Sequence, residues 1–207
     1  MKPVIWLGDS RKRTQNFPKA ARILIGIELR YVQHGREPKD WKPMAVVGQG
    51  ANEIRIHSAS EYRIFYVAKF PEGVYVLHVF VKKTQKTAQA DIETAQKRYR
   101  ELQEKRKDEG DKNSNNVFLD CGFGPVEAEN LRIRTDILIA ITSHIGDHKL
   151  TRAKAAKLLN VAPAKVAELL NHRIDSFTID ELIGMLTTLG LRVDLSVRPA
   201  KTPRKVA

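Results

Sequence analysis

The spacing of apolar residues along the chain changes period repeatedly, and each change marks a predicted element. Val4–Leu7 is a short apolar run, β-branched at its start and closed by Gly8-Asp9, and it predicts a strand; Asp9 or Ser10 can then cap a helix. After Pro18 the period becomes helical. Ala21, Ile23, Leu24, Ile27, Leu29, Tyr31 and Val32 suit an amphipathic helix with Pro18 at its first turn and Gly35 just past its end. Pro38–Pro43 reads as irregular chain leading to a short strand around Met44–Val47. Period two then takes over: Ile54 and Ile56 face one way while Arg55 and His57 face the other, and in Tyr62–Lys69 Arg63 shares a face with Phe65 and Val67. Val74–Val81 is almost continuously apolar, as a central strand requires. Ser58-Ala59-Ser60 and Pro71-Glu72-Gly73 are hairpin-sized turns, and a helix is predicted from about Ala88 to Arg106. The first half is therefore expected to be α+β, a mostly antiparallel sheet with helices packed on one face.

Gln103–Asn116 contains no apolar residue and is read as an exposed seam. Beyond it the pattern is helical. A short helix is expected within Val117–Phe123, and a longer one from Pro125 with Leu131, Ile133, Ile137, Leu138, Ile141 and Ile145 as its apolar stripe. Thr151 can cap a helix holding Ala155, Ala156, Leu158 and Leu159. Asn160-Val161-Ala162 makes a tight turn, and Pro163 opens a second helix with Val166, Leu169 and Leu170 inward. Two short helices joined by about three residues, with small Ala155 at their crossing, predict a helix-turn-helix. A third helix, Ile179–Leu189, is capped by Thr178, and Leu191, Val193, Leu195 and Val197 alternate with polar residues as a C-terminal strand that invites a partner. The expected organisation is residues 1–107 as one domain, 108–116 as linker, 117–198 as a second, all-α domain with that strand, and 199–207 as a basic tail. Each domain is long enough to hold its own core.

Charge divides at the same seam. Residues 1–107 carry 22 Lys and Arg against 11 Asp and Glu, while 108–207 carry 14 against 13, so nearly all of the net charge of +12 sits in the first half. A pI near 9.9 makes a polyanion the leading partner, nucleic acid ahead of a membrane surface because no basic amphipathic anchor is apparent. No apolar run approaches the ~20 residues of a membrane span. MKPVIWLGDSRKR has too short an apolar segment for a secretory signal, so a cytoplasmic protein is expected. Cys121, the one cysteine, reads as a small buried apolar residue. His34, His57 and His78 lie on different elements, and His144 and His148 have Gly146 between them and no third ligand; neither a metal nor another cofactor is expected.

The sheet face opposite the helices would carry Arg55, His57 and Arg63, bordered by Lys82, Lys83 and Lys86 past the last strand. Cations converging on one surface suit a phosphodiester, because they hold the phosphate and stabilise the charge that develops during its cleavage. The same spacing also fits solvated side chains on an open sheet face, and the residues alone leave both readings standing.

MKPVIWLGDSRKR, DWKPM, EIRI, YRIFYVAKF, YVLHVFVKKTQKT and DIETAQKRYREL, in that order, resemble the phage-derived branch of the RelE/HigB toxin superfamily over almost all of residues 1–105. The resemblance implies a ribosome-associated endoribonuclease (an mRNA interferase) that needs no metal and promotes attack of a ribose 2′-hydroxyl on the adjacent phosphate. It places Arg55 and Arg63 on the phosphate, Lys83 and Lys86 with them in the catalytic set, and Lys82 and Lys69 on RNA. Some relatives end with a catalytic tyrosine or histidine after the last strand. Here Gln and Lys stand there, which leaves the general base open, with His57 a candidate by position. Residues 150–195, LTRAKAAKLLNVAPAKVAELLNHRIDSFTIDELIGMLTTLGLRVDL, with GFGPVEAENLRIRTDIL before them, resemble the Xre-type DNA-binding domain of HigA-like antitoxins. That implies a dimeric autorepressor which also holds the toxin inactive. Arg152 would meet phosphate, with Thr151 beside it in the DNA-binding set, while Ala164, Lys165 and Glu168 would face the major groove, alanine offering only apolar contact.

Together these resemblances imply a single-chain toxin–antitoxin protein with mRNA, the ribosome and operator DNA as partners. It would be a homodimer through the C-terminal strand, its second half able to cover the cationic face of the first. An inhibitor tethered by a short linker sees an effective concentration of about millimolar, so strong self-inhibition is expected. The alternative is a non-enzymatic DNA-binding transcriptional regulator whose first half has lost catalysis.

Overall fold

The computed structural model describes residues 1–84, 87–105 and 116–194. The alternating runs form a five-stranded sheet. β1 (Val4–Trp6) pairs parallel with β5 (Val74–Val81), while β2 (Trp41–Pro43), β3 (Ala51–His57) and β4 (Glu61–Val67) continue it antiparallel in the order β1-β5-β4-β3-β2. The strand expected at Met44–Val47 lies three residues earlier. Pro43 is tolerated there because β2 is the sheet edge, and Met44–Gly48 instead forms a turn in which the Val47 N–H donates to the Met44 carbonyl at 2.9 Å.

Helices α1 (Ser10–Gln15) and α2 (Lys19–Gln33) link β1 to β2. α2 shares a core with Ile54, Ile64 and Val79 from one face of the sheet. It is more than amphipathic: every residue from Ile25 to Gln33 is buried, so it is covered all round. α3 (Gln89–Lys105) covers part of the other face, where Phe65, Leu77, Ala95, Tyr99 and Leu102 form a second core. Helices therefore lie against both faces, and the second face stays open around Arg55 and His57, near the β3–β4 turn.

The cover on the outer side of α2 comes from the second half of the chain. α4 (Val117–Asp120), capped by the Asn116 side chain accepting from the Phe118 N–H at 3.1 Å, and the start of α5 (Pro125–Asp147) bring Val117, Phe118, Cys121, Phe123 and Leu131 into the same core as α2 and the sheet. The second half thus also contributes to the core of the first. An interior glycine makes the contact possible: a methyl on Gly26 would sit 2.5 Å from Phe118 Cε1. Burial pushes the Cys121 thiol pKa far up, so the residue serves as packing.

α6 (Arg152–Leu159), α7 (Pro163–Leu170) and α8 (Ile179–Thr188) pack with the rest of α5 around Leu138, Ile141, Val166, Leu169 and Leu182. The local signals act as predicted. Thr151 Oγ1 accepts from the Lys154 N–H, Asn160 turns the chain at φ 52°, and Thr178 and Glu181 form a reciprocal capping box. Leu191–Asp194 has no regular secondary structure. The remainder of the expected C-terminal strand, the tail and nearly all of the expected linker fall outside the described residues.

Candidate functional site

Cross-strand register builds the cationic site. Arg55 stands opposite Arg63 and His57 opposite Glu61, so β3 and β4 deliver all four side chains to one face. Arg63 is buried: NH2 lies 2.9 Å from Glu61 Oε2, NH1 donates to the Tyr62 carbonyl at 2.8 Å, and Nε lies 3.1 Å from Glu53 Oε1. Arg55, one-third exposed, is 3.5 Å from both Glu53 and Asp40. His57 sits between two carboxylates, Nε2 2.7 Å from Asp40 Oδ2 and Nδ1 2.9 Å from Glu61 Oε1. Hydrogen bonds to Asp40 and then Glu61 raise its pKa above the usual histidine value; those from His57 and then Arg63 lower that of Glu61.

The site thus alternates cations with carboxylates. Asp40, Glu53 and Glu61 were not among the predicted residues. For two of them a signal existed, since Glu53 stands two before Arg55 and Glu61 two before Arg63, which puts them on the same face. Asp40 had no such signal, because a loop carries it there.

The lysines divide. The Lys82 N–H donates to the Glu61 carbonyl at 2.7 Å, which places Lys82 and Lys83 beside the site. With Arg13 and Asp91 they border a cavity of about 580 Å³ with an apolar wall of Phe17, Val79, Phe80 and Val81. Lys86 lies outside the described residues. Lys69 is not brought to this site. It follows the far end of β4, donates to Tyr99 Oη at 3.1 Å and stands over the Phe70 ring. His78 is buried, 2.9 Å from Asp91, and desolvation lowers its pKa. His144 and His148 stack at 4.0 Å, with His148 Nδ1 against the His144 carbonyl. Among the described residues no cluster of three or more His, Cys, Asp or Glu is placed to hold a metal, and no helix is long and apolar enough to cross a membrane.

Two family comparisons match this architecture. Residues 12–100 match the family described as phage derived protein Gp49-like, and residues 117–198 match a helix-turn-helix domain family. The chain joins a Gp49-like toxin domain to a helix-turn-helix domain. No curated protein matches it.

The helix-turn-helix domain docks against α2 of the Gp49-like domain, which lies on the other side of the sheet from Arg55. Arg30, almost fully buried, makes a two-pronged pair with Asp136 at 2.7 and 2.8 Å; Tyr31 Oη lies 2.9 Å from Thr142 Oγ1; and buried Glu28 meets His172 Nδ1 at 2.8 Å. The expectation that this half covers the cationic face is therefore not met. The second half packs instead on α2, where Phe118 lies against Gly26 and the Arg30–Asp136 and Glu28–His172 pairs form.

Of the DNA candidates, Arg152 and Ala164 are exposed at the starts of α6 and α7, and Thr151 is used as the α6 cap. Lys165 turns inward: Nζ donates to the Ser176 carbonyl at 2.5 Å, stands over the Phe177 ring and lies 3.9 Å from both Glu168 and Glu181. Its charge is balanced within the domain.

Proposed function

We propose that the Gp49-like domain is a ribosome-dependent mRNA endoribonuclease restrained by the helix-turn-helix domain, which binds operator DNA and represses the chain's own synthesis as a homodimer. The observation that carries the catalytic reading is the pairing of Arg55 with Arg63 across β3 and β4, with His57 next to them on the part of the face that α3 leaves open. Arg55, partly exposed, offers its guanidinium to the oxygens of a phosphodiester, and buried Arg63 behind it adds positive charge that stabilises the additional negative charge of the transition state. Hydrogen bonds from His57 to Asp40 and Glu61 favour its protonated form, and a protonated imidazole can give a proton to the departing 5′-oxygen. Lys82 and Lys83 extend the cationic track along the strand.

A second reading, a non-enzymatic regulator, is favoured by one feature: Asp40, Glu53 and Glu61 already balance the site's cations. Asp136→Arg, which repels Arg30 and loosens docking, separates the two. Incubated with translating ribosomes, the loosened chain is expected to cut mRNA, and adding Arg55→Ala is expected to abolish the cuts. Intact mRNA with the loosened chain would leave the regulator as the better reading.

A further inference from the structure

The helix-turn-helix domain does not cover the cationic face, yet a short chain of contacts joins the two. His172, buried and held at φ 56°, stacks on the Tyr31 ring at 4.0 Å and puts Nδ1 on Glu28 Oε1 at 2.8 Å. The other Glu28 oxygen accepts the Lys39 N–H at 2.8 Å, and Lys39 Nζ reaches back to Asn171 Oδ1 at 2.7 Å. The next residue is Asp40. Its carbonyl accepts the Arg55 N–H at 2.9 Å, and its carboxylate spans His57, at 2.7 Å, and Arg55, at 3.5 Å. A carboxylate there offers Arg55 and His57 the same anionic oxygens that a phosphate would.

We propose that Glu28 is a positioning residue joining the two halves: with His172 docked on one oxygen and Lys39 on the other, it seats Asp40 across Arg55 and His57 and keeps those cations from phosphate. This rests on Arg55 and His57 being the phosphate grip. The helix-turn-helix domain then restrains the site through a loop. Two covalently joined residues separate the contact with Asn171 from the contact with His57, so displacement on one side is transmitted with little slack. The groups around His57 are Asp40 from the loop, Glu61 from β4 and Arg55 on its own strand. Of these, Asp40 is the one the docked half reaches.

The test uses the full chain and two readouts: the titration midpoint of the His57 ring by NMR, and binding of a short single-stranded RNA carrying a 2′-deoxy substitution that prevents cleavage. Asp40→Asn sets the scale, with a lower His57 midpoint and several-fold tighter RNA binding expected. His172→Ala is expected to move both in the same direction by a comparable amount. Because His172 is buried, Asn171→Ala repeats the test at an exposed position, with a smaller effect of the same sign. If Asp40→Asn moves the midpoint while both His172→Ala and Asn171→Ala leave it at the wild-type value, or if Asp40→Asn itself leaves it unmoved, the coupling is overturned. Failure of every variant to bind RNA would remove the nuclease reading, while the His57 midpoint would still decide the coupling.

Discussion

Gly26→Ala tests the shared core through the sign of its effect. In an ordinary helix interior the change stabilises by about 1 kcal/mol, because alanine loses less backbone freedom on folding. Here the new methyl would stand 2.5 Å from Phe118 Cε1 and 2.6 Å from Cδ1, against an ordinary carbon–carbon contact of roughly 3.5–4.0 Å. The ring must retreat by about 1 Å into a fully buried site, since Phe118 is 0% exposed. Overpacking of that kind costs about 1–3 kcal/mol, so the net expectation is a loss of about 1 kcal/mol. Urea unfolding should register a lower midpoint at unchanged slope. Phe118→Ala alone should cost about 3–5 kcal/mol, and in that background Gly26→Ala should turn stabilising, a coupling of about 2 kcal/mol. A Gly26→Ala protein more stable than wild type, or an equal effect in both backgrounds, would refute the packing of α4 against α2.

Three further outcomes follow from the same geometry. Asp136→Ala strips buried Arg30 of its two-pronged partner; Asp136 is 28% exposed, so the cost should fall near the low end for a broken buried pair, about 3 kcal/mol by urea unfolding. Although partial burial pushes the Asp9 pKa up, hydrogen bonds from Arg13 and Arg98 hold it down at about 2 from an ordinary 3.8. Its stabilising contribution is therefore full above about pH 4 and lost as pH falls through 2, and Asp9→Asn should flatten the acid limb of a stability–pH profile over that window. Arg152→Ala should weaken binding to duplex DNA and reduce the salt slope by about 1, read by fluorescence anisotropy at several salt concentrations; an unchanged slope would take Arg152 off the phosphate backbone.

Several site features were legible because they are local. Period-two alternation put Arg55 and His57 on one strand face, and a continuous apolar run marked β5 as interior. The β2 strand was misplaced because Pro38 and Pro43 read as breakers, and only an edge position makes Pro43 acceptable in a ladder. Lys69 and Lys165 were placed among nucleic-acid contacts by the resemblances, Lys165 from its motif position on the second helix. Tyr99 and the Ser176 carbonyl hold them instead, and both partners come from other elements. The burial of Arg63 was equally hidden, since it depends on Glu53 and Glu61 closing around the guanidinium.

Most helices, several of their caps and turns, and which residues share a strand face could therefore be read locally, because these depend on neighbours a few positions apart. That α2 is sandwiched between the sheet and α4, that the helix-turn-helix half docks away from the cationic face, and that Asp40 bridges Arg55 and His57 are visible only in the folded chain. Glu28 and His172 stand 144 positions apart, and no periodicity extends that far. Their meeting depends on the docking of the second half on α2, where His172 also stacks on Tyr31.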